Sequence, residues 1–139
     1  RLGLPAKWDD IYLKEDIRKK EWFTTKEYNG QPKDVCIKIM DENNDVSSYT
    51  GGGYLGFSMI RIPEMYYIMA ESLLEEGNAD EARVYLDSVV TSRGLEKFAN
   101  GEFEREITID DIMNEWRKEF YGEGIWWYCL KRKNTREIP

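Results

Sequence analysis

RIPEMYYIMAESLLEEGNADEARVYLDSVVTSRG, residues 61–94, is the stretch that decides the fold. In its first half Ile62, Met65, Tyr66, Met69, Ala70, Leu73 and Leu74 recur at i, i+3, i+4, i+7, i+8, i+11 and i+12, the spacing of one helical face. Pro63 suits the opening turn, where its missing N–H costs nothing. Gly77 suits the position just past a helix end, where the backbone turns left-handed. Asn78 is then expected to cap a second helix, with Glu81 completing a capping box. The second apolar face is Ala82, Tyr85, Leu86, Val89 and Val90, and Gly94 closes it after Arg93. Two amphipathic helices joined by so short a turn pack antiparallel, because neither buries its stripe alone.

The large and small positions are those of a tetratricopeptide-type unit: Tyr66, Met69, Ala70, Leu73, Ala82, Leu86 and Val89. Small Ala70 and Ala82 allow close approach of the two helices. One such unit cannot close a core, so further packing partners are expected elsewhere in the chain or outside it.

Working outward, 139 residues allow one moderate core, and 41% hydrophobic content with five Trp and nine Tyr is globular. A net charge of −7 argues against nucleic acid or an anionic membrane surface as the main partner. Histidine is absent, which removes the commonest general base and transition-metal ligand. Cys36 and Cys129 match no ligand spacing and read as two buried thiols rather than a disulfide. No apolar run is long enough to cross a bilayer as a helix. The chain opens on RLGLPAKWDD, without initiator Met or secretory segment, so a mature fragment or a piece of something longer is expected.

Upstream of the helix pair, residues 11–23 are expected to hold a helical turn or two. Asn29–Gly30 before Pro32 is a turn signal. Residues 35–40 (VCIKIM), the DENND turn at 41–45 and residues 46–50 are read as a small β-hairpin. DENND spaces its oxygens like an EF-hand loop, but Val46 and Gly52 stand where that loop needs Gly and Glu, so it carries no calcium expectation. Residues 51–53, GGG, lack the GK[ST] ending of a phosphate loop. Downstream, Thr108 caps a third helix, with Asp110 and Asp111 in its first turn and Ile109, Ile112, Met113, Trp116 and Phe120 on its apolar face. Gly122 and Gly124 break it before IWWYCLKR, residues 125–132.

Catalytic chemistry has few candidates. Glu115, Glu119 and Glu123 lie near Trp126 and Trp127, and a glycosidase needs two carboxyls facing each other across a sugar. Carboxylates four apart on one helix share a side, so they are expected to bond Arg117, Arg132 or helix ends. No enzyme activity, cofactor or metal is expected. The aromatics not assigned to a core by helical spacing are Trp8, Trp22, Tyr28 and Tyr54, which leaves them as candidate ligand contacts.

Three motifs in order carry a resemblance. The first is Asp16-Ile17-Arg18. The second runs from Arg61 through Glu64, Tyr66, Ala70 and Glu71 to Gly77, Ala82, Arg93 and Gly94. It resembles the R-x-x-E-x-Y-L-x-x-A-E-A … G … A … R-x-R-G core of the SusD/RagB family. The third holds Glu115, Arg117, Glu119, Phe120, Glu123, Gly124, Leu130 and Arg132 at the spacing of that family's closing E-R-R-x-E-F-x-x-E-G-x-R-x-x-D-L-x-R signature. The sequence departs from the pattern where Trp116 and Trp126 replace Arg and Cys129 replaces Asp, which predicts a more apolar packing of the last helices.

The resemblance implies a surface-exposed outer-membrane lipoprotein of Bacteroidetes-type bacteria. Such a protein binds a glycan or peptide nutrient and docks on a TonB-dependent transporter, held to the membrane by a lipid on a missing N-terminal part. The expected architecture is mostly α: a TPR-like antiparallel helix pair plus C-terminal helices, with an irregular N-terminal segment and a small β-hairpin. Residues 1–58 would form the irregular segment, part of the ligand-binding region, and residues 59–139 the α-helical C-terminal region. The rival reading is a TPR-like protein-interaction module unrelated to nutrient uptake.

Overall fold

The structure is a computed structural model and describes residues 11–38, 60–98 and 106–133. The chain divides into two compact units, residues 1–60 and 61–139.

In the first unit a single turn-and-a-half of helix, α1 (Ile17–Trp22), feeds directly into a hairpin of β1 (Phe23–Tyr28) and β2 (Gln31–Cys36). Asp16 caps α1 by accepting from the Arg18 N–H at 3.0 Å. The same carboxylate takes Arg18 Nε at 2.9 Å and a terminal guanidinium nitrogen at 2.7 Å. Both side chains are buried, so Asp-x-Arg is a self-neutralised knot: each charge enters the interior only with the other. Tyr12 and Phe23 close over it with ring centroids 5.4 Å apart, and the Arg18 guanidinium lies over the Tyr12 ring.

The hairpin turn is Asn29–Gly30, both at positive φ (53° and 71°), the type I′ geometry that matches strand twist. A two-residue turn fixes the register: Tyr28 opposes Gln31 and Phe23 opposes Cys36. Pro32 opposes Glu27, and counting from the turn this is a non-hydrogen-bonded pair, so its missing N–H costs the ladder nothing. This hairpin lies upstream of the one expected over residues 35–50, whose turn and returning strand fall outside the described residues. Only Val35 and Cys36 of the expected strand take part, and they pair back to residues 23–24. The turn signal at 29–30 outweighed the apolar run, because turn geometry sets register. The DENND and GGG runs lie outside the described residues.

The second unit is helical: α2 (Ile62–Glu75), α3 (Ala79–Ser92), α4 (Ile109–Glu119) and α5 (Ile125–Arg132). Gly77 (φ 84°) ends α2 in a Schellman motif: its N–H donates to the Leu74 carbonyl, and the Asn78 N–H donates to that of Leu73. Gly94 ends α3 the same way, its N–H donating to the Thr91 carbonyl and the Leu95 N–H to that of Val90. Tyr66 meets Tyr85 at 5.8 Å, while Ala70 and Ala82 are both fully buried in one cluster, as antiparallel pairing requires. That cluster also holds Tyr67, Leu86, Val89, Ile112, Trp116, Phe120 and Cys129. Trp116 and Cys129, the departures from the family pattern, thus pack inside the core, and Trp126 packs against it.

Two local expectations need correction. Asn78 precedes α3, but its side chain makes no cap bond, so the box with Glu81 is not formed. Asn78 is already committed as the last residue of the Schellman motif, and its ψ of 60° is not the extended value a capping box needs. The box forms instead at Thr108, whose N–H donates to Asp111 Oδ2 at 2.7 Å while its hydroxyl receives the Asp111 N–H. The buried face of α2 is also rotated from the expected stripe. Tyr67 and Glu71 face inward with Ala70 and Leu73, whereas Ile62, Met65 and Met69 are exposed. Periodicity assigns Glu71 to the polar side with Glu64 and Glu75, so it cannot place that residue inward. An ion pair made by Glu71 supplies the missing reason.

Candidate functional site

The conspicuous chemistry of the second unit is a pair of buried carboxylates, Glu71 on α2 and Glu119 on α4, each met by cations from remote sequence. Glu119, fully buried, receives Arg93 through two parallel bonds, Nε to Oε2 at 2.9 Å and a terminal nitrogen to Oε1 at 2.8 Å. Arg61 reaches the same carboxylate at 3.1 Å, donates to the Glu119 carbonyl at 2.7 Å, and pairs with Glu123 at 3.0 Å. Its guanidinium also lies 4.8 Å from the Phe120 ring centroid. Arg61 immediately precedes α2 and Arg93 immediately follows α3. One carboxylate at the end of α4 therefore ties together both ends of the helix pair.

A second cluster joins α2 to α5. Arg132 grips Glu71 bidentately at 2.7 and 2.6 Å, and the Lys133 ammonium also bonds Glu71. Burial alone would push the Glu71 carboxyl up, but hydrogen bonds from Arg132 and Lys133, with their charges, hold it below the usual carboxylate range. The bond to Glu71 raises Arg132 in turn. Lys133 is raised too: burial, the largest single effect, would lower it, but the bond and charge of Glu71 with the bond to Glu75 together outweigh that. Arg132 also covers the Trp116 ring at 5.6 Å. Glu115 takes Lys118 at 2.6 Å. The glutamates of the closing signature are thus paired as expected, though to Lys118, Arg61 and Arg93 rather than to Arg117 or Arg132. Arg117 sits in the last turn of α4, and Gly124 (φ 77°) precedes α5 in a conformation favouring glycine.

Glu119 is fully buried with both oxygens bonded to guanidinium, so it is turned toward Arg61 and Arg93 and not toward an open face. Among the described residues no group of three or more Cys, Asp or Glu side chains is arranged to hold a metal ion. A cleft of about 380 Å³ opens between α2, α4 and α5, lined by Glu64, Ile68, Glu71, Trp116, Ile125 and Arg132 among others. Its polar lining includes the Glu71–Arg132 pair already described, with Glu64, Ser72 and Glu75.

The candidate ligand aromatics belong to the first unit. Trp22 is half-buried at the end of α1, and the Lys38 ammonium sits 3.7 Å from its ring centroid. Tyr28 stands at the hairpin tip, 67% exposed. Trp8 and Tyr54 lie outside the described residues. Cys36 and Cys129 are both free thiols; Cys129 is buried as expected, but Cys36 is only half-buried, at the end of an exposed hairpin strand. Among the described residues no helix is long and apolar enough to cross a membrane.

The family model described as the SusD family (SusD_RagB) matches residues 35–137, the stretch that contains both buried ion clusters. No curated protein and no solved structure matches this chain.

Proposed function

This chain belongs to the SusD family, and we propose that it serves as the nutrient-binding component of an outer-membrane uptake complex. Family membership supports a nutrient-binding role in general terms. In the finer reading the bound nutrient is a glycan or peptide, the partner is a TonB-dependent transporter, and the location is the outer-membrane surface. A lipid anchor on an upstream part of the protein would hold it there. Residues 1–58 contribute ligand contacts, with Trp8, Trp22, Tyr28 and Tyr54 as the aromatic candidates, and residues 59–139 form the helical support.

One observation carries the reading beyond the family match: the glutamates in the best catalytic positions serve as anchors. Glu119 is clamped between Arg61 and Arg93, Glu123 is tied to Arg61, and Glu115 to Lys118. The bonds of Glu119 and Glu123 tie the end of α4 to the helix pair, and that of Glu115 stays within α4, which suits a binding scaffold and leaves bond-breaking to other proteins.

The test is copurification from outer membranes. The tagged full-length protein, expressed in its own host and extracted in mild detergent, should bring down a TonB-dependent β-barrel. It should also bind a glycan or peptide without releasing cleaved products. Recovery only from the soluble fraction, with no transporter attached, would refute the assignment.

A further inference from the structure

We infer that one face of the β1–β2 hairpin is a contact surface for an anionic saccharide, a sugar bearing carboxylate or sulfate. The inference rests on the nutrient-binding reading and names the chemistry of the ligand.

Register places Lys26 directly opposite Lys33. Side chains alternate along a strand, so Thr24, Lys26 and Tyr28 share a face with Val35, Lys33 and Gln31. The two carboxylates of the hairpin, Glu27 and Asp34, fall on the other face, where Asp34 accepts from the Thr25 hydroxyl at 2.9 Å. The strands are therefore sorted by charge: acids on one side, lysines on the other. Like charges directly opposite destabilise a strand pair. Among the described residues neither lysine has an ion-pair partner that would relieve the repulsion.

The two strands together are neutral, so it is this sorting alone that leaves one face of the hairpin with two lysines and no acid. In a hydrogen-bonded strand pair the Cα atoms sit about 5.5 Å apart, so two flexible lysines can converge on a single acidic group. Tyr28 at the tip adds an exposed ring for a sugar face, and Gln31 opposite it adds an amide for hydroxyls.

Titration calorimetry on the full chain, at low and at physiological salt, tests this with three glucan or uronan probes and one polypeptide. Polygalacturonate presents carboxylates, dextran sulfate presents sulfates, plain dextran presents neither, and poly-glutamate presents carboxylates without sugar. The expected result is binding to at least one acidic glycan, weakened by salt and lowered tenfold or more in K26E/K33E. K26R/K33R should retain it, and Y28A should lose several-fold. Which of the two glycans binds identifies carboxylate or sulfate as the recognised group. The single variant K33E supplies a readout that a purely structural role would not move. It turns the opposed lysines into an opposite-charge pair, so it should raise Tm while weakening the glycan.

Acidic-glycan binding unchanged in K26E/K33E, or poly-glutamate bound as tightly as the glycans, overturns the inference. So does a preference for dextran, which leaves the nutrient-binding reading standing. Copurification with the transporter is scored separately, and its loss in the wild-type chain would sink that reading whatever the glycans do.

Discussion

Replacing Glu119 with Gln keeps the shape of the side chain and removes its charge, which isolates the contribution of the central carboxylate. Glu119 is fully buried and faces two guanidiniums. Breaking a buried pair by removing one partner costs about 3–5 kcal/mol, because the other charge is left uncompensated. Three features place this case at the lower end. Gln retains one carbonyl acceptor; Arg61 keeps Glu123 and the Glu119 backbone carbonyl; and both arginine side chains are 22% exposed, so water can reach them in part. The expected loss is about 3 kcal/mol, read as a fall in the urea midpoint at constant slope. For a helical unit of this size Tm should fall by roughly 10 °C or more. Added salt should change the difference little, since the group is screened by protein rather than by ions. Glu81→Gln, on the exposed face of α3, should stay within about 0.5 kcal/mol of wild type. A loss below about 1 kcal/mol in E119Q would refute the argument, because that is the behaviour of a surface pair.

Other expectations follow from the same geometry. Thr108→Ala removes the hydroxyl half of the capping box and should cost about 1 kcal/mol in denaturant unfolding. Gly77→Ala should cost about 1–2 kcal/mol, all of it from the backbone, since a Cβ there meets nothing within 4 Å while φ is +84°. Glu71, lowered in the fold, contributes stability that is present above its unfolded value near 4.5 and lost as pH falls through its lower folded value. Acid unfolding should therefore be less steep in E71Q, measured by circular dichroism from pH 6 to 2. Lys133, raised in the fold, contributes stability that is complete below its unfolded value of 10.5 and lost above it, so the alkaline limb should soften in K133M. Thiol labelling should modify Cys36 first, because Cys129 is buried and its thiol is pushed up by that burial. Equal rates at the two sites would contradict this.

The helices were legible because their punctuation is local. Gly77, Gly94 and Thr108 act on neighbours within five residues, and all three end or start a helix where the sequence places them. The orientation of α2 was not legible, because its inward face is chosen by Glu71, whose partners Arg132 and Lys133 lie more than sixty residues away. Periodicity reads a glutamate as solvent-facing and offered the methionines instead. Arg61 and Arg93 could be read as signature positions, but their shared dependence on Glu119 required the chain to be folded. The observed hairpin was legible in its turn, but its first strand, Phe23–Tyr28, was not read as one. Asn29–Gly30 is a strong hairpin signal, and of the run read as a strand at residues 35–40, Val35 and Cys36 pair across it.

Because Arg61 and Arg93 flank the helix pair at its open end, the chain enters and leaves that module at the same place. Tension applied through the flanking segments would peel the helices apart like a zipper instead of sliding one along the other. The first bonds in its path are those of Glu119, and the Tyr67–Trp116–Phe120 packing comes under load only after they part. Mechanical resistance in this protein thus resides in one carboxylate before it resides in its core.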